Sequence, residues 1–67
     1  MTSWSDLRPG QMFVTKCYVW YIIGVRKYGT DIIEMMYLNI DREDRERFDF
    51  GSLRSYDSQV AFEEDPV

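Results

Sequence analysis

The stretch YVWYIIGVRKYGTDIIEMMYLNI, residues 18–40, decides the fold. Two runs rich in Val, Ile, Trp and Tyr flank Gly29-Thr30, and these residue types favour extended chain. Tyr18 to Tyr28 reads as one strand and Asp31 to Ile40 as the next. A two-residue loop led by glycine suits a type II′ turn, which pairs Tyr28 with Asp31. That register sorts the side chains onto two faces. One collects Tyr21, Ile23, Val25, Ile32, Met36, Leu38 and Ile40, with Lys27 and Glu34 near its turn end. The other collects Trp20, Ile22, Arg26, Ile33, Met35 and Tyr37. The first is expected to be the core. The second is also apolar, unlike the solvent side of an ordinary antiparallel sheet. A turn longer by one residue would change the sorting. Gly24, inside the first run, marks a bulge or bend.

Working outward, Gln11 to Cys17 reads as a preceding strand. Before it, Pro9-Gly10 fits the centre of a type II turn, with glycine supplying the positive φ. Ser3 and Asp6 are spaced as a capping box, and Pro9 limits any helix there to a single turn. On the other side, Asp41 to Arg47 is all charge and reads as a solvated loop. Arg47 to Phe50 is expected as a short fourth strand, Gly51 to Tyr56 as a tight turn or one turn of 3₁₀ helix, and Ser58 to Phe62 as a fifth strand. Residues 63–67 form an acidic end. The whole chain, 1–67, reads as one domain with its core in residues 9–62. Five short strands with a helical turn before the last give an all-β layout. In element order and length it resembles the small five-stranded antiparallel SH3-like barrel, with a short N-terminal helical turn added. The rival is an open meander that pairs into a dimer.

Composition limits the chemistry. The 67 residues include no histidine and a single cysteine, Cys17. An intrachain disulfide is impossible and a structural zinc has no ligand set. General acid–base work at neutral pH most often uses histidine. The four glycines stand far apart, so no phosphate-cradling loop is present. Asp41, Glu43, Asp44 and Glu46 alternate with Arg42, Arg45 and Arg47, and lack the glycine and closing glutamate of a calcium-binding EF-hand loop. No enzyme activity and no cofactor are expected. Cys17 has only Lys16 as a basic neighbour and is expected to be a buried or half-buried structural residue. A free thiol and the lack of a leader point to a cytoplasmic setting. The apolar run Tyr18 to Val25 is too short to span a membrane.

Net charge is −4, with the excess in residues 41–49 and in the tail from Asp57. That balance weighs against nucleic acid, which needs clustered cations. Tyr18, Trp20, Tyr28 and Tyr37 with Lys16, Arg26 and Lys27 could still make a stacking platform for single-stranded bases. The expected function is protein–protein interaction. Trp20 and Tyr37 serve as anchors, Ile22 and Met35 as apolar contacts, and Arg26 as the polar rim. The partner is another protein or a second copy. Alternatively, Trp4 and Leu7, or Val60 and Phe62, cover that face within the chain. A domain of this kind would fit an inhibitor or accessory protein, such as one encoded by a phage or mobile element. A structural homo-oligomer is a further possibility.

Overall fold

The computed structural model describes residues 2–62 and Glu64. A 3₁₀ turn, η1 (Trp4–Asp6), precedes four strands: β1 (Met12–Val14), β2 (Tyr18–Tyr28), β3 (Ile32–Asp41) and β4 (Phe48–Ser55). They form one antiparallel sheet in the order β1-β2-β3-β4. The all-β class holds, but the sheet is open and four-stranded, so the expected five-stranded closed barrel is corrected. The long hairpin of residues 18–40 is its centre, as its β-branched and aromatic content dictates.

The N-terminal turn follows from its residues. Gly10 has φ +87°. The Gln11 N–H donates to the Arg8 carbonyl at 3.2 Å. Pro9 and Gly10 thus occupy the two central positions of the turn. Ser3 Oγ donates to Asp6 Oδ2 at 2.8 Å, so the capping pair contacts side chain to side chain. Ser3 makes no side-chain bond to the backbone of η1.

Two departures reshape the hairpin and cancel each other. Tyr28 pairs with Ile32, not Asp31, so the loop holds three residues. The register then shifts between Ile22 and Gly24, with Ile23 as the extra residue. Beyond that bulge Ile22 pairs with Tyr37, the pairing that a two-residue loop would have produced. A bulge inserts one residue and exchanges faces for everything past it. Val25 therefore joins the side of Ile22, and Arg26 crosses to the side of Tyr21.

Gly51 was expected to turn the chain, but β4 runs straight through it. Gly51 pairs with Tyr37 of β3. A Cβ built there would lie 2.7 Å from the Tyr37 hydroxyl and 2.9 Å from its ring. The glycine serves as a bare floor on which the tyrosine lies flat. Gly51→Ala is expected to lower stability by about 1–3 kcal/mol through overpacking, read from the midpoint of chemical denaturation. Stability equal to the parent would show that the ring swings away freely.

With residues 51–55 in β4, no fifth strand forms among the described residues. Residues 57–60 turn back under the sheet, and the expected strand of residues 58–62 shrinks to a single bridge between Ser3 and Ala61. Trp4 N–H donates to the Val60 carbonyl and Ser5 N–H to the Ser58 carbonyl, each at 3.0 Å. Phe62 N–H donates to the Thr2 carbonyl at 2.9 Å. The two chain ends are thus stitched together into a second layer beneath β1–β3. The acidic tail of residues 63–67 lies outside the described residues except for Glu64.

The core sits between that layer and the sheet. It comprises Leu7, Phe13, Ile22 and Met35, with Trp4, Trp20, Val25, Tyr37 and Phe62 packed against them. The aromatic rings form a continuous chain. Trp4 and Phe13 each lie 4.8 Å from Phe62, Phe13 lies 6.1 Å from Trp20, and Trp20 lies 4.7 Å from Tyr37. Such pairs contribute beyond the area they bury. Trp20 Nε1 donates to Thr15 Oγ1 at 2.8 Å, which satisfies its one polar atom. Among the described residues no helix is long and apolar enough to cross a membrane.

Candidate protein-binding face

The five residues singled out from the sequence do not form an open patch. Ile22 is 2% exposed and Met35 1%, and both lie in the core. Trp20 and Tyr37 are half-buried in the aromatic chain. Arg26 lies on the other side of the sheet, carried there by the bulge. The cover comes from η1, Leu7 and Phe62, the intrachain alternative. Val60 itself stays exposed. The face expected to be core is the bare one.

Cross-strand register shows how that bare face is built. Residues that pair across strands share a face. Met12 pairs with Tyr21, Tyr21 with Leu38, and Leu38 with Phe50. Val14 pairs with Val19, Val19 with Ile40, and Ile40 with Phe48. These are two apolar rows, each crossing all four strands. Ile23 and Met36 extend them toward the hairpin. Tyr21 is 40% exposed, Ile23 54%, Phe48 60% and Phe50 62%. Phe48 and Phe50 stand edge to face with centroids 6.2 Å apart. Among the described residues none packs over these two rings.

A charged row closes the face at the hairpin end. Arg26 pairs with Glu34 and Glu34 with Arg54. Arg54 Nη2 lies 3.3 Å from Glu34 Oε2, and Tyr28 donates to Glu34 Oε1 at 3.1 Å. The Arg54 guanidinium also lies 4.5 Å from the Tyr28 ring centroid. The Arg26 pKa is raised, first by its hydrogen bond to Tyr28 and then by the charges of Tyr28 and Glu34. For Arg54, desolvation pulls the pKa down, but the bonds to Glu34 and Tyr56 outweigh it and the net shift is upward. Both remain cations.

The opposite end is bounded by the loop of residues 42–47. Asp41 Oδ1 accepts from the N–H groups of Glu43 at 2.8 Å and Asp44 at 3.2 Å. Asp44 Oδ1 accepts from Glu46 N–H at 3.1 Å. These carboxylates shape the loop's own backbone. Arg42 reaches across to the Thr15 carbonyl at 3.1 Å and ties the loop to the β1–β2 turn. Between loop and face lies an open hollow of about 500 Å³, lined by Val19, Tyr21, Ile40, Asp41, Arg42 and Arg45. Cys17, at the tip of the β1–β2 turn, is exposed and not buried as expected. Among the described residues no three acidic or thiol side chains come together as a metal-binding group.

Part of this face was visible in the sequence, because Tyr21, Ile23, Met36, Leu38 and Ile40 were sorted together. Phe48 and Phe50 were missed as members. Their spacing around Asp49 carried the signal, since alternation places both on one side of a strand. Comparison with protein-family models, characterised proteins and solved structures finds no match for this chain.

Proposed function

We propose that this domain is a small non-enzymatic protein–protein interaction module, and that it binds through the bare apolar face of its sheet. One observation supports the reading. Two rows of four apolar side chains cross the entire sheet, and Met12, Tyr21, Phe48 and Phe50 among them stand exposed. Soluble monomers rarely leave a contiguous patch of this kind open, and such patches mark association sites. The residue types suit an interface core, since Phe, Tyr, Met and Ile anchor well and the charged row supplies a rim. The hollow beside Tyr21 offers a seat for one side chain of a partner. The exposed lone thiol of Cys17 suits a reducing, cytoplasmic setting.

The nucleic-acid alternative loses support from this arrangement. Trp20 and Tyr37, two of its four rings, are engaged in the aromatic chain of the core.

Position-specific photocrosslinking tests the proposal. A benzophenone side chain at position 50 is expected to give protein adducts in cells. The same group at position 59, in the turn beneath the opposite side of the sheet, is expected to give none. Equal yields at both positions, or none at position 50, would refute the assignment.

A further inference from the structure

Resting on that reading, we infer that the occupant of the bare face is an acidic segment of another protein, with apolar residues over the two rows and carboxylates at the arginines that stand at both ends. The chain carries a net charge of −4, yet its charges are sorted by side. At the hairpin end Arg26, Glu34 and Arg54 form one cross-strand row on the bare side. Glu34 is already held by Arg54 and by the Tyr28 hydroxyl. At the loop end Arg42 and Arg45 line the hollow beside Val19, Tyr21 and Ile40, together with Asp41. The Asp41 carboxylate is turned onto the N–H groups of Glu43 and Asp44. Over both ends four arginines stand against two acids, a net of +2. Lys16, whose carbonyl also receives Arg42 Nη1, places a further cation at the loop end of the sheet.

The remaining acids collect elsewhere. Asp49 pairs with Asn39 and Asn39 with Trp20, which puts Asp49 on the core side. There Asp41, Glu46 and Asp49 line a second hollow of about 400 Å³ with Arg47. Asp44 accepts from the Glu46 N–H, and Asp57 from the Gln59 N–H in the turn beneath the sheet. Glu43 lines neither hollow. Asp31 lies in the hairpin loop, beyond the paired residues. Lys27 pairs with the buried Ile33 and so belongs to the core side.

This distribution selects among occupants. From Phe48 to Arg54 β4 rises ~3.3 Å per residue, so the two arginine groups stand about 20 Å apart with hydrocarbon between them. About six extended or about 13 helical residues bridge that distance. One peptide segment therefore places acids at both ends and apolar side chains between, which is the complement of this face. A nucleic-acid strand carries a phosphate roughly every 3.4 Å of duplex and would set most of its charges over the apolar rows. A second copy would bring the same excess of cations against this one, which like-charge repulsion disfavours.

A phage-displayed library of random peptides, about 15 residues long so as to span the face in extended or helical form, tests the inference on the purified chain. The selected peptides are expected to combine acidic with large apolar residues. Arg45→Glu is expected to weaken their binding about tenfold or more, and Arg47→Glu, the same charge change on the other side of the same loop, by less than about twofold. Both positions are exposed, and circular dichroism checks that both variants fold. If Arg45→Glu does not fold, Arg26→Gln reads the opposite end of the face, where a loss of several-fold is expected. Basic or uncharged peptides, no enrichment at all, or equal losses in the two loop variants overturn the inference. So does Arg45-dependent binding of an oligothymidine or of phosphatidylserine vesicles that is tighter than that of the selected peptides. Crosslinking at position 50 separates this inference from the reading on which it rests. Adducts there with a segment lacking acids, or with a second copy of the chain, overturn the acidic occupant and leave the interaction module standing. No adducts at position 50 refute the interaction module itself.

Discussion

Ile22→Asp is expected to leave the chain unfolded, while Ile23→Asp, one residue along, is expected to fold as the parent does. Ile22 is 2% exposed and packs among Leu7, Phe13 and Met35. Truncating such a side chain costs about 2–5 kcal/mol. Burying an unpaired carboxylate adds several more. A domain of this length has roughly 3–10 kcal/mol in total, so the sum exceeds what is present. Ile23 sits on the bulge and is 54% exposed. A carboxylate there meets water in the single chain, and its expected cost falls on association. Far-ultraviolet circular dichroism with thermal melts separates the two. The reverse pattern, with Ile23→Asp unfolded and Ile22→Asp intact, would mean that the other face of the sheet is the core.

Phe62→Ala is expected to destabilise the domain by about 3 kcal/mol, the lower end for a core phenylalanine because this one is half-buried. Its ring touches Trp4 and Phe13, so it joins the N-terminal turn to the sheet. Tryptophan emission should shift to the red in the native baseline, as Trp4 loses its stacking partner. Val60→Ala, four-tenths to one-half exposed in the same segment, is the control and should change stability by less than about 0.5 kcal/mol. Urea unfolding followed by fluorescence gives both values. Equal small losses would show that the C-terminal segment is not what closes the core.

These two experiments probe the point at which reading the chain locally stops being sufficient. The hairpin was legible because its propensities are strong and unopposed. Residues 18–28 carry eight β-branched or aromatic side chains, and β2 matches the expected span end for end. The Pro9-Gly10 turn and the Gly24 irregularity were legible for a similar reason, since proline and glycine restrict or release φ whatever surrounds them. Gly51 misled because glycine has two uses. Read alone it suggests a turn, yet here it makes room for Tyr37, a residue fourteen positions away that no local window includes. The missing fifth strand follows from the same misreading.

By itself the sequence determined that the chain is all-β, that its centre is a long hairpin with two apolar faces, and that no histidine-based or paired-thiol chemistry is available to it. Those are consequences of backbone propensity and composition, which act residue by residue. Only the tertiary structure decided which face became the core. Both faces are apolar enough to serve, and a strand's alternation has no preferred side. The choice was made by the segments flanking the sheet, whose described residues Trp4, Leu7 and Phe62 form a layer on one side. A single layer can cover one side of a sheet, and the hydrogen bonds that join residues 2–5 to residues 58–62 place it under Ile22 and Met35. The other side keeps Tyr21, Ile23, Phe48 and Phe50 exposed, and so its apolar rows, and not the residues first singled out, form the docking surface proposed above.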